Sequence, residues 1–214
     1  MAIAFDAASE GSVVDNTTLT ISHTTAGSNR ALFFAVDVDK SSGDADVITG
    51  VTYNGVAMTR IGIAAAQANS KVSLYVLNNP TIGTNDIVTT LSAAPATTTC
   101  RGVGMSYSEV HQGAIDSSAT GNNSGTTITA TTTVVGTGCW LVGAFYGNAG
   151  GLAASTDTTE RGDETNLTGD DSNAIVAAGS RSLVVTCNSD NFAWVVASFS
   201  PFVPTTGRSQ FYFL

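Results

Sequence analysis

Along this chain, short segments of β-branched and aromatic residues recur about every dozen residues, each closed off by Gly, Asn, Asp or Pro. Such spacing suits strands joined by turns. It interrupts the roughly 10–12 residues of helical periodicity that a packed helix needs. Residues 17–23 alternate, with Leu19 and Ile21 on one face, whereas residues 31–38 (Ala-Leu-Phe-Phe-Ala-Val-Asp-Val) are continuously apolar, as in a central strand. Asn54-Gly55, between residues 51–53 and 56–60, predicts a two-residue hairpin, because a type I′ turn needs positive φ at both central positions. Further strands are expected at residues 72–77, 87–91, 101–108, 126–134, 139–146, 174–178, 182–187 and 192–199. The run Ala64-Ala65-Ala66-Gln67-Ala68 could make at most one helical turn between Gly62 and Asn69. The fold class read from this pattern is all-β, a single antiparallel β-sandwich of about a dozen strands.

Composition agrees. Of 214 residues, 43% are hydrophobic and 12% charged, so the chain can bury a sizeable core, while helix-forming Lys, Glu and Leu are sparse. Seventeen acidic against eight basic residues give a net charge of -9, which argues against a nucleic-acid backbone or an anionic membrane as partner. The N-terminal residues carry no basic n-region with a long apolar stretch, and no apolar run reaches the roughly 18 residues of a membrane span. Synthesis in the cytoplasm is the expectation. Cys100, Cys139 and Cys187 are widely spaced and lie in apolar or β-branched runs, so they read as buried thiols, with one disulfide and a leftover thiol as the alternative.

Chemistry-bearing motifs are few. His23 and His111 have no second histidine at metal-ligand spacing and read as surface or loop residues. Gly104-Met105-Ser106-Tyr107-Ser108 lacks the final glycine of a nucleophile elbow, and Gly136-Thr137-Gly138 lacks the third glycine of a phosphate loop. Asp37, Asp39, Asp44 and Asp46 fall within ten residues, with Asp37 and Asp39 on one strand face. Hard oxygen ligands on a loop suit Ca²⁺, although EF-hand spacing is absent, and a solvated acidic edge is the alternative. Asp163, Glu164, Asp170 and Asp171 form a second acidic group inside residues 147–173, which read as one long loop. Glu109 has no evident carboxylate partner for glycoside hydrolysis. Trp140 and Trp194 read as core residues, and Tyr53, Tyr107 and Tyr146 as candidates for exposed contacts.

Residues 1–200 read as the sandwich and 201–214 as a tail. The tail ends in Phe211, Tyr212, Phe213 and Leu214, four bulky apolar residues that need a docking surface, either on their own domain or on a neighbouring subunit.

Several stretches together, Gly27-Ser28-Asn29-Arg30-Ala31-Leu32, Val51-Thr52-Tyr53-Asn54-Gly55-Val56-Ala57-Met58-Thr59, residues 72–80, Gly83-Thr84-Asn85 and Ser106-Tyr107-Ser108-Glu109-Val110, resemble jelly-roll-like β-sandwich structural proteins of tailed bacteriophages and related domains of bacterial surface proteins. The resemblance spans roughly residues 1–200. It implies a non-enzymatic virion protein, such as a capsid decoration or head-surface subunit, that is homo-oligomeric, contacts a capsid protein, and is assembled in the host cytoplasm for the virion surface. It brings no catalytic residues and no cofactor. A carbohydrate-binding module or receptor-binding adhesin, with residues 147–173 as its surface, is the alternative, and a glycan-degrading enzyme is a third. A deep polar pocket gathering two or more close carboxylates, or a histidine beside a serine, would contradict a role without chemistry. Deleting residues 211–214 is expected to weaken self-association or capsid binding. An unchanged mass in solution together with unchanged capsid binding would remove the tail from the account.

Overall fold

The computed structural model describes residues 1–92 and 98–204. Fifteen strands, all paired antiparallel, build the fold: β1 (Ala4–Val14), β2 (Thr18–Thr25), β3 (Ala31–Lys40), β4 (Ile48–Tyr53), β5 (Val56–Ala57), β6 (Thr59–Gln67), β7 (Ser70–Asn78), β8 (Gly83–Leu91), β9 (Thr98–Ser108), β10 (Ser117–Val134), β11 (Trp140–Gly147), β12 (Ala153–Ala154), β13 (Thr159–Glu164), β14 (Leu167–Asp171) and β15 (Gly179–Phe199). A first sheet is ordered β2-β8-β4-β5, a central sheet β1-β9-β3-β7-β6, and a third β10-β15-β11-β14-β13.

Jelly-roll order is confined to the first half of the chain. Strands β1-β9-β3-β7 face β2-β8-β4-β5, with successive strands crossing between the sheets and β1 beside β9. The hairpin at Asn54-Gly55 is present, with φ of 49° and 76°, and pairs Tyr53 with Val56. The chain leaves the first sheet at Met58 and re-enters the central one as β6, so residues 64–67, read as a possible helical turn, belong to a bulged edge strand.

The central sheet is covered on both faces, which explains the unbroken apolar run of β3. Leu32, Phe34 and Val36 point at Leu19, Ile21, Tyr53 and Ile87 of the first sheet. Phe33 and Ala35 point at Val142, Val195 and Phe199 of the third. Phe33 meets Phe199 at 4.9 Å and Tyr107 at 5.8 Å between ring centroids, and Trp140 packs edge-on against Tyr107. Close approach within the first interlayer depends on Gly102, since a Cβ there would lie 2.4 Å from Phe34 Cζ.

The third sheet carries a flap. Residues 117–125 of β10 pair with residues 190–198 of β15, but Thr127 resumes opposite Thr186, leaving three β15 residues, 187–189, opposite the single residue Thr126 at the break. Beyond it, the two strands and β12 fold over the outer face, placing Leu183 against Gly143 of β11. Ile128, Ala130, Leu183 and Val185 of the flap then bury Leu141, Phe145 and Val196.

Residues 147–173, read as a loop, contain β12, β13 and β14. Residues 174–178, read as a strand, make a single bridge from Val176 to Cys139. The expected pair of strands at 182–187 and 192–199 is one continuous strand of 21 residues. Gly102→Ala is expected to cost roughly 1–3 kcal/mol, because fully buried Phe34 has nowhere to move. Thermal unfolding measures this, and an unchanged midpoint would contradict the packing described.

Candidate functional site

The acidic residues 37–46 take separate partners. Asp37, fully buried on β3, receives Arg101 Nη1 at 2.7 Å through Oδ2, while its Oδ1 has no partner among the described residues. Asp39 accepts from Ser70 Oγ at 2.8 Å. Asp44 pairs with Lys71 and caps the Asp46 amide at 2.8 Å, and Asp46 meets Arg60 at 3.1 Å. Among the described residues, no group of three or more His, Cys, Asp or Glu is placed to hold a metal ion. Burial raises Asp37 to about 7, with Asp39 and Glu164 adding to the shift and Arg101 opposing it. Desolvation outweighs the ion pair here.

Of the second acidic group, Asp163 and Glu164 lie on β13, while Asp170 and Asp171 take opposite faces of β14. Asp171 faces the central sheet and accepts Arg161 through both oxygens, at 2.8 and 3.1 Å. It also accepts the Tyr107 hydroxyl at 2.8 Å, and the Arg161 guanidinium lies 3.9 Å from the centroid of the Phe5 ring. This network ties β1, β9, β13 and β14 together without an open coordination position at the carboxylate. Asp170 points the other way. Its Oδ2 accepts from Thr168 Oγ1 at 2.7 Å, and its buried Oδ1 has no partner among the described residues. Burial raises it to about 8, reinforced by Glu160, Asp171 and Asp163, so it is largely a neutral acid at pH 7.

A histidine does stand beside a serine. Ser9 Oγ and His23 Nδ1 are 2.8 Å apart, and His23 is buried rather than on the surface as its position in the sequence suggested. Burial lowers it to about 4, keeping the ring neutral. Among the described residues its Nε2 has no partner, and none of their carboxylates orients the imidazole as in a nucleophilic triad. The pair sits between the first and central sheets, where Gly104 leaves room for it: a Cβ there would lie 3.0 Å from Ser9 Oγ and 3.3 Å from His23 Nδ1. Neither residue lines any of the four surface grooves described here. The arrangement is that of an internal tie.

Tyr53, Tyr107 and Tyr146, expected as exposed contacts, are fully buried, because each hydroxyl finds an internal acceptor. Trp140 is core, whereas Trp194 is only partly buried. The three cysteines are free and buried. Residues 211–214 lie outside the described residues, so the tail's docking site is not placed.

Sequence reasoning did not single out the surface grooves. The largest, about 450 Å³, runs along residues 172–177 of the loop before the flap to Arg181. One of about 410 Å³ has Ile61, Val76 and Ile115 at the edge of β6, and another of similar size surrounds the Asn54-Gly55 turn. A smaller crevice of about 290 Å³ opens where β10 and β15 break, beside Trp194. All but the largest share glycine or asparagine at a strand break, which composition alone does not separate from an ordinary turn.

No family model matches the chain, and no curated protein matches it. Six chains of solved structures match. One is the crystal structure of the major capsid protein P2 from bacteriophage PM2, 10% identical, aligned over 95% of this chain and 98% of that one with a TM-score of 0.25.

The buried acids set the direction of pH dependence. Asp37 and Asp170 are raised above the unfolded value of 3.8, so their stabilising contribution is full below that pH and is lost as pH rises through about 7 and 8. His23 acts oppositely: its contribution is present above 6.5 and is lost as pH falls through about 4. Between pH 6.5 and 9 the thermal midpoint is expected to fall, and Asp170→Asn should flatten that fall. An equally steep profile in the variant would contradict the assignment.

Proposed function

We propose that this chain is a non-enzymatic structural subunit of a bacteriophage particle, carried on the head surface and assembled in the host cytoplasm. It works as a rigid body that packs against copies of itself and against a capsid protein. The observation that carries this reading is the jelly-roll order of β1 to β9, with the central sheet closed on both faces. The likeness of residues 1–200 to phage structural sandwiches supports the same reading. So does the use of buried charges as internal ties: Arg101 is spent on Asp37 and Arg161 on Asp171.

Contacts of this kind draw on surface that is rigid before assembly, so little conformational entropy is lost on docking. Exposed Val135, Ile175 and Val203 supply apolar area, although each alone is ordinary for a monomer surface. Repetition over a lattice makes individually weak contacts sufficient. Quantitative mass spectrometry of purified particles from the phage that encodes the chain is expected to find it in many copies per particle. Light scattering of the isolated protein should give a mass above that of one 21.7 kDa chain. Absence from particles would overturn the proposal.

A further inference from the structure

The break in the β10–β15 ladder builds a feature unlike the other grooves: an incompletely buried indole beside uncharged polar side chains. The crevice is lined by Asn122, Asn123, Thr127, Thr129, Phe192 and Trp194. Trp194 sits opposite Gly121 in the β10–β15 register. Its ring crosses that glycine, where a Cβ would lie 2.4 Å from Cζ2 and 3.0 Å from Nε1. The missing side chain therefore lets the indole lie across the strand. Trp140, the second tryptophan, is 7% exposed and packed inside the aromatic core.

Unused hydrogen-bonding capacity surrounds the indole. Trp194 Nε1 and the hydroxyls of exposed Thr127 and Thr129 have no hydrogen-bond partner among the described residues. Asn122 is committed elsewhere, its amide donating to Ala65 O of the central sheet at 2.7 Å. Asn123 accepts the Ser124 amide at 2.9 Å, which leaves its NH₂ as a donor. Donors and acceptors thus both stand beside an aromatic surface. A pyranose presents the matching chemistry, with an apolar C–H face for the ring and hydroxyls at its rim for amides and hydroxyls.

We propose that this crevice is a carbohydrate-binding subsite for a neutral pyranose of a glycan chain. No charged side chain lines it, and the net charge of -9 disfavours sulfated or uronic sugars. Its volume of about 290 Å³ lies at the lower edge of small-molecule sites, which fits a short stretch of glycan rather than a long one. The surface is separate from residues 147–173, whose polar residues are largely committed to β13 and β14. The inference does not depend on the particle role proposed above, since a free module and a virion subunit would use the same crevice.

The test uses the full chain and a panel of neutral oligosaccharides: cellohexaose, maltohexaose, mannohexaose, xylohexaose and N-acetylchitohexaose. Titration with at least one of them is expected to give a saturable change in tryptophan fluorescence. Trp194→Phe, which leaves only Trp140 as reporter, should abolish that change. Calorimetry with the same sugar should show affinity reduced about tenfold or more in Trp194→Ala, the loss of one aromatic face. Thr129→Lys, on an exposed position, should block binding while leaving the unfolding midpoint in place, which separates loss of the site from loss of the fold. No saturable response to any member of the panel would overturn the proposal. Binding that survives both Trp194→Ala and Thr129→Lys would overturn it equally.

Discussion

Burial of the central sheet on both faces is the constraint from which the rest of the structure follows. A strand covered on one side alternates apolar and polar residues; β3 cannot, because the first sheet takes Leu32, Phe34 and Val36 while the third takes Phe33 and Ala35. Neighbouring strands must then give way to its rings, as Gly102 does to Phe34. The third sheet repeats the problem one layer out. Its outer face carries Leu141, Phe145 and Val196, and the flap formed by the bent β10–β15 pair covers them. Four β layers enclose three apolar interlayers, and the grooves that remain lie at their rims and breaks.

Charges admitted to these interlayers are handled by pairing or by neutralisation. Arg161 and Tyr107 satisfy Asp171, whereas Asp170, on the opposite face of the same strand, has one hydroxyl donor and keeps its proton. Asp37 has an arginine yet still resists ionisation, because a fully buried carboxylate loses more hydration than one ion pair returns. Ser9 and His23 belong to the same class of internal contact. A role through shape and surface accommodates all four groups without assigning chemistry to any of them.

The apolar strands were legible in the sequence because their pattern is local. Residues 31–38, the alternation of residues 17–23 and the Asn54-Gly55 turn each declare themselves within a few positions. Strand β14 does not: Leu-Thr-Gly-Asp-Asp looks like a loop, and becomes a fully buried strand only because Arg161 and Tyr107 arrive from β13 and β9. Strand β1 and the first half of β10 were likewise hidden by Ser, Gly and Asn, which pair through backbone rather than through apolar side chains. Tyrosines 53, 107 and 146 were misplaced because a buried hydroxyl needs an acceptor that a single sequence does not reveal. Trp194 is the reverse case: its neighbours in sequence are apolar, but Gly121, distant along the chain, and the break in the β10–β15 ladder decide that it stays partly open.

If the shared interlayer governs the molecule, residues 4–108 and 117–199 unfold together even though the jelly-roll order is complete in the first stretch. Native-state hydrogen exchange measures this most directly. The slowest amides of β3, β9, β11 and β15 should exchange through one opening event, with a common free energy and a common dependence on denaturant. Exchange of β11 and β15 at markedly lower free energy, with β3 and β9 still protected, would show that the third sheet is an appendage to an independent sandwich and would contradict the account.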